Sequence, residues 1–140
     1  MKVKFKKLNP DVRLPEYSHS GDAGANVFSL EDKVIKAGQR ETFHLGFATE
    51  FPATHVGLIW DRGGLAALQG LTCLAGVADA NYRGEWVLVL LNTSDQDYQV
   101  KKGDKIAQIL FQPIEVVEFE VVDQLSETSR GEGKFGSTGR

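Results

Sequence analysis

The chain has 140 residues, 41% hydrophobic and 25% charged, which suits one folded domain with a core of its own and needs neither disulfides nor a structural metal. The formal charge is −3, from 16 Lys and Arg against 19 Asp and Glu, too weak and of the wrong sign for broad nucleic-acid binding. Cys73 is the single cysteine, so no internal disulfide forms; a reducing, cytoplasmic setting is expected, with nuclear residence and a viral origin left open.

The chain opens with MKVKFKKLNP, basic but without the apolar run of a secretory leader. No later stretch approaches the roughly 18 apolar residues of a membrane span, so no membrane partner is expected. Residues 3–8 alternate apolar and polar at period two, which predicts a strand. Short apolar runs at 26–30 and 33–35 follow, separated by charge, and Gly38 breaks the chain before an alternating run at 42–45. Residues 56–60 and 86–91 are near-continuous apolar runs of strand length, as expected when both faces are buried. Gly84 before the second run and Asn92-Thr93-Ser94-Asp95 after it favour a strand over a helix. Residues 98–100 lead into a turn at Lys102-Gly103-Asp104, residues 106–111 resume the apolar run, and 116–122 alternate again. No sustained stripe at helical spacing exists; the best helix candidate is one turn at 65–68, boxed between glycines. This rhythm of strands and turns predicts an all-β sandwich or closed barrel.

Residues 126–140 differ in kind, with Gly131, Gly133, Gly136 and Gly139 around a lone aromatic, Phe135. Such a segment cannot bury enough surface to order itself. It reads either as a frayed terminus or as a lid that orders over a ligand. Gly131-Glu132-Gly133-Lys134-Phe135-Gly136 matches GxGxxG literally but fails as a dinucleotide fingerprint, because only four residues remain to make the helix that must follow. The tail does offer backbone N–H groups, Ser137, Thr138, Arg130 and Lys134, a set suited to wrapping a polyphosphate.

Two further stretches carry chemistry. Asp61-Arg62-Gly63-Gly64-Leu65-Ala66 follows an apolar strand, where an Arg beside glycines allows close backbone approach to an anion; a Gly-Gly pair is more often only a turn. Gly76-Val77-Ala78-Asp79-Ala80-Asn81-Tyr82-Arg83-Gly84-Glu85 supplies a carboxylate, a turn and a tyrosine. If Asp79 and Tyr82 bracket a hairpin, the carboxylate can activate a water and the ring can pack on a flat ligand. From physics alone an ordinary hairpin with a solvated Asp and a core Tyr is the favoured reading. His19, His44 and His55 form no HxH or HxxxH pair, which with one cysteine makes a zinc site improbable.

Taken together, these segments resemble the trimeric dUTP diphosphatase (dUTPase) family, whose five motifs appear in order. They are Ala23-Gly24-Ala25-Asn26-Val27; Arg62-Gly63-Gly64-Leu65-Ala66; Gly76 to Asp79 with Tyr82 to Glu85; Gly103-Asp104-Lys105-Ile106-Ala107-Gln108; and Arg130 to Gly139. The resemblance implies a jelly-roll-like β-barrel over residues 1–125, a glycine-rich lid over 126–140, and a homotrimer with shared sites, in which one chain's tail closes a site formed by others. The implied reaction takes dUTP and water to dUMP and pyrophosphate, with Mg²⁺ on the triphosphate and no metal held directly by the protein. By the same resemblance, Asp79 deprotonates the attacking water and Tyr82 packs on the deoxyribose. The backbone of a β-hairpin around Cys73 to Ala78, with Gly76 and Val77, reads the uracil edge. Arg62, with Gly63 and Gly64, and Gln108 meet phosphates. Arg130 grips the γ-phosphate, Phe135 stacks on uracil, and Gly136, Ser137 and Thr138 cover the triphosphate.

Three positions depart from the family pattern. Gly63 stands where a Ser is usual, so one hydroxyl donor near the leaving oxygen is lost; if that donor acts in the transition state, its absence costs roughly 3 kcal/mol, about a hundredfold. Ala25 and Asn26 replace an aromatic and an Asp, and Ala78 replaces an Ile. A sister family that deaminates dCTP needs a Glu on the strand after Glu85, where this chain has Val89, so deamination ranks low. A non-catalytic nucleotide-binding or signalling protein of the same fold is the other alternative, motivated by Gly63 and opposed by the retained Asp79.

Overall fold

Alternating and turn-bounded apolar runs become strands. A computed structural model describes residues 1–134 and contains, among them, eleven strands and one short helix. In chain order these are β1 (Lys4–Lys7), β2 (Ala25–Phe28), β3 (Lys33–Ile35), β4 (Arg40–His44), β5 (Phe47–Glu50), β6 (His55–Trp60), α1 (Gly63–Gln69), β7 (Leu71–Leu74), β8 (Val77–Ala78), β9 (Val87–Asn92), β10 (Tyr98–Val100) and β11 (Lys105–Pro113). All pairings are antiparallel, in the orders β2-β11-β6-β8, β4-β9-β7, β1-β5 and β10-β3. The fold is the expected all-β, jelly-roll-like barrel.

The inner faces supply the core. Phe43, Phe47, Leu45, Leu71, Leu88, Leu90, Ile35 and Ile106 are almost wholly buried, each contributing on the order of 1.5–3 kcal/mol by leaving water. The Phe47 ring stacks on Phe5 at 4.6 Å and leans on Trp86 at 5.7 Å. Buried polar groups are satisfied: Trp86 Nε1 donates to Thr49 Oγ1 at 3.0 Å, and Asn92 Nδ2 to the Ile35 and Gln96 carbonyls at 3.0 and 2.7 Å. The predicted one-turn helix is seven residues long and ends at Gly70, whose φ of 68° lets its N–H reach the Ala66 and Leu65 carbonyls.

Two expectations differ. The run at 86–91 was expected to be buried on both faces, yet along β9 Leu88 and Leu90 are buried while Val87 is exposed; its second face has no complete cover among the described residues. The run at 116–122 joins no ladder. Ile114 N–H reaches the Thr54 carbonyl at 3.0 Å, after which Val116, Phe119 and Val121 stand 85%, 90% and 97% exposed. An alternating segment needs a neighbouring strand edge, and no described edge of this chain runs beside it.

Candidate active site

β6 positions two separate groups of functional residues. β8 pairs with β6 through Gly57↔Ala78 and Leu58↔Val77, so the same register sets Asp79 opposite Val56, at the start of the strand. The chain leaves β6 after Trp60 and reaches Arg62 two residues later. From Val56 to Trp60 alone the rise is roughly 13 Å. Asp79 and Arg62 therefore occupy opposite ends of one strand.

At the Asp79 end lies a cleft of about 260 Å³ lined by Gly76, Val77, Ala78, Asp79 and Tyr82, with Glu85, Val87 and Val89 opposite. Asp79 is exposed to solvent, and its carbonyl accepts the Tyr82 N–H at 3.0 Å, closing the turn between them. The Tyr82 hydroxyl donates to the Glu85 carbonyl at 2.9 Å, laying the ring across Gly84. A Cβ at position 84 would collide with that ring, which is why glycine stands there. The Glu85 carboxylate ties this turn to the barrel: Oε1 accepts the Gly46 N–H at 2.8 Å and Oε2 lies 2.9 Å from His44 Nδ1.

β7 and β8 flank the turn Ala75-Gly76, with φ of 63° and 119°. They were expected to form a hairpin, but β7 ladders to β9 and β8 to β6, leaving both as edge strands of different sheets. The turn is thus a corner bridging two sheets, pinned by Ile59 N–H donating to the Gly76 carbonyl at 2.7 Å. At its base the Asp61 carboxylate accepts the Cys73 N–H and, at 2.8 Å, the Thr72 hydroxyl. Partial burial pushes the Asp61 carboxyl up, yet the bonds from the Cys73 amide and Thr72 outweigh it and hold the group below the usual carboxylate range. Burial, with the Asp61 carboxylate beside it, pushes the Cys73 thiol up to about 12. Asp61 and Glu85 stand inside the sequence motifs but carried no expected role; an Asp directly after an apolar strand was the available signal.

At the other end of β6 lies a cavity of about 360 Å³ lined by Ser18, Asp22, Asn26, Arg62, Gly63 and Gln108, with His19 and Gly24 at its wall. β11 brings Gln108 opposite both Asn26 and Trp60. Its Nε2 donates to the Asp61 carbonyl at 2.8 Å, and Arg62 Nη1 to the Lys105 carbonyl at 3.3 Å. Gln108 packs so closely on Gly24 that no Cβ fits there. The other guanidinium N–H groups of Arg62 make no further bond among the described residues, leaving donors for an anion. Arg62, Gly63 and Gln108 thus come together, as do Gly76, Val77, Ala78, Asp79 and Tyr82; the two groups do not meet within one chain. Cys73 lines a third hollow on the far side of the corner, and Gly64 sits exposed in α1. Arg130 is exposed, its Nε donating to the Gly133 carbonyl at 3.2 Å. Phe135, Gly136, Ser137 and Thr138 lie outside the described residues.

A family model described as dUTPase matches residues 11–139. The deoxyuridine 5′-triphosphate nucleotidohydrolase of Clostridium tetani is 44% identical over 140 residues, covering 99% of this chain and 97% of that protein. Its counterpart from Thermobifida fusca is 44% identical over 142 residues, covering 99% and 79%. Among solved structures, a Staphylococcus bacteriophage 80alpha dUTPase G164S mutant with dUpNHpp superposes with a TM-score of 0.92 at 28% identity, covering 99% of each chain.

Proposed function

The chain belongs to the dUTPase family, and we propose that it hydrolyses dUTP to dUMP and pyrophosphate with Asp79 orienting and deprotonating the attacking water. The observation that carries the assignment of roles is the cleft in which the solvent-facing Asp79 carboxylate, the Tyr82 ring and the edge-strand backbone of β8 share one wall. Phosphoryl transfer asks little covalent work of a protein; it needs an aimed nucleophile and charge stabilisation. The edge-strand backbone of β8 suits a base edge, and a site built on such groups rejects bases with the wrong donor pattern. Tyr82 packs on the deoxyribose, and Arg62 and Gln108 take phosphate oxygens. Val89 lines the cleft where the dCTP deaminases need a glutamate.

Among the described residues Asp22 is the only carboxylate lining the phosphate cavity, and its Oδ2 already accepts the Ser18 and His19 amides. The fitting ligand for magnesium is therefore the triphosphate itself, and dUTP is taken as its magnesium complex. Bound there, the ion neutralises charge on the departing pyrophosphate.

The active assembly is a homotrimer with shared sites. Supporting this, Asp79 and Arg62 sit at opposite ends of β6 and line separate hollows. Trp60, Val77 and Val87 are 56%, 71% and 39% exposed, an apolar face suited to another copy. The unladdered segment 116–122 calls for a strand edge outside its own chain. Residues 126–140 act as the lid, with Arg130 on the γ-phosphate, Phe135 on uracil, and Gly136, Ser137 and Thr138 over the phosphates.

Pyrophosphate release from dUTP, dTTP, dCTP and UTP with magnesium tests this reading, and selective turnover of dUTP is expected. Replacing Asp79 with Asn lowers kcat by about a hundredfold to ten-thousandfold while dUpNHpp binding persists. Full turnover by that variant would remove Asp79 from its role, and saturable dUTP binding without turnover by the wild type would favour a nucleotide-binding protein.

A further inference from the structure

We propose that Ser18 is a phosphate-oxygen ligand, supplying from the opposite wall of the cavity the hydroxyl that Gly63 lacks; this rests on the hydrolase reading above. The cavity lined by Ser18, Asn26, Arg62, Gly63 and Gln108 has few side-chain donors free for an anion. Gln108 Nε2 gives one of its two N–H groups to the Asp61 carbonyl, Gly63 has no side chain, and the Ser18 and His19 amides are spent on Asp22.

Ser18 Oγ has a defined orientation. It lies 3.0 Å from Asn26 Nδ2 and 3.1 Å from Lys105 Nζ. Both nitrogens can only donate, so they fill the two lone pairs of the oxygen. The Asn26 amide cannot be turned the other way, because the same Nδ2 lies 3.1 Å from the Glu16 carbonyl, which can only accept. The Ser18 proton is therefore left over, and among the described residues no acceptor takes it. Ser18 is exposed on the cavity wall, so that proton is offered to whatever occupies the cavity. Two donors on one oxygen, one a cation, also polarise the hydroxyl and strengthen it as a donor.

Asn26 is the switch in this arrangement. A carboxylate at 26 would accept the Ser18 proton and remove it from the cavity. Asn26 and Gly63, two of the departures from the family pattern, thus compensate each other through Ser18: one residue removes a hydroxyl and the other turns a second one inward.

The test uses four substitutions in the full chain, alone and combined, with dUTP turnover and binding of magnesium pyrophosphate by calorimetry as separate readouts. Ser18→Ala is expected to lower kcat/KM for dUTP and the pyrophosphate affinity by about tenfold or more, while Ser18→Thr, which keeps the hydroxyl, stays near wild type. Asn26→Asp is expected to cause a similar loss and to add little when combined with Ser18→Ala. A side chain at Gly63 meets nothing within 4 Å, so Gly63→Ser fits and is expected to restore most of the activity of Ser18→Ala. Wild-type constants for Ser18→Ala in both readouts, or losses from Asn26→Asp and Ser18→Ala that multiply, overturn the proposal. A wild type that leaves dUTP intact while Ser18→Ala still weakens pyrophosphate binding defeats the hydrolase reading and keeps the phosphate ligand.

Discussion

Asp61 takes the Cys73 amide and the Thr72 hydroxyl on its two oxygens and immediately precedes Arg62, so one carboxylate holds β7 where the chain turns toward the phosphate cavity. Its charge also sets the chemistry of the cysteine beside it. With burial and that neighbour pushing the thiol to about 12, the thiolate is scarce at any ordinary pH. Cys73 is expected to react with a disulfide reagent at pH 8 roughly a hundredfold more slowly than an unhindered thiol. Asp61→Asn removes the charge and one acceptor, so it should speed that reaction and lower stability by about 1–3 kcal/mol. Thiol kinetics and a thermal melt on the two proteins check both effects. Unchanged thiol kinetics in the variant would show that burial alone silences the cysteine.

The corner formed by β7, Ala75-Gly76 and β8 depends on two successive positive φ values. Glycine adopts these freely, but Ala75 does so at a cost of roughly 1 kcal/mol. Asparagine tolerates the left-handed region and is favoured where two such residues follow each other. Ala75→Asn is expected to raise the melting temperature by a few degrees, as a thermal melt will show. This corner also marks the limit of what the sequence made legible. Runs such as 33–35, 56–60 and 98–100 announced their strands because alternation or continuous β-formers stated the burial pattern directly. β5 and β8 did not: FATE and VA are too short to display a period, and their place follows from ladders with distant segments, β1 and β6. The chemistry-bearing motifs were readable as residue types, yet their grouping was not. Nothing in the spacing of Arg62 and Asp79 tells that one strand holds them apart. Ser18 carried no signal at all, since its role comes from Asn26 and Lys105, which lie 8 and 87 residues away.

At the scale of the whole molecule, the described barrel closes its core but leaves an apolar flank and a trailing strand-like segment without cover. Both are costly in an isolated chain and agree with a symmetric assembly. β6 spaces the two groups, with Asp79 at one end and Arg62 at the other. On the proposed reading, each protomer contributes to two sites and completes neither alone. Two individually dead proteins should then repair each other: Asp79→Asn and Arg62→Ala chains, unfolded and refolded together, yield interfaces where an intact aspartate meets an intact arginine. With random mixing at equal amounts, about a quarter of the sites would be wild type, and hydrolysis should reappear in the mixture at about that fraction, though neither parent shows it. A silent mixture would mean that each subunit works alone.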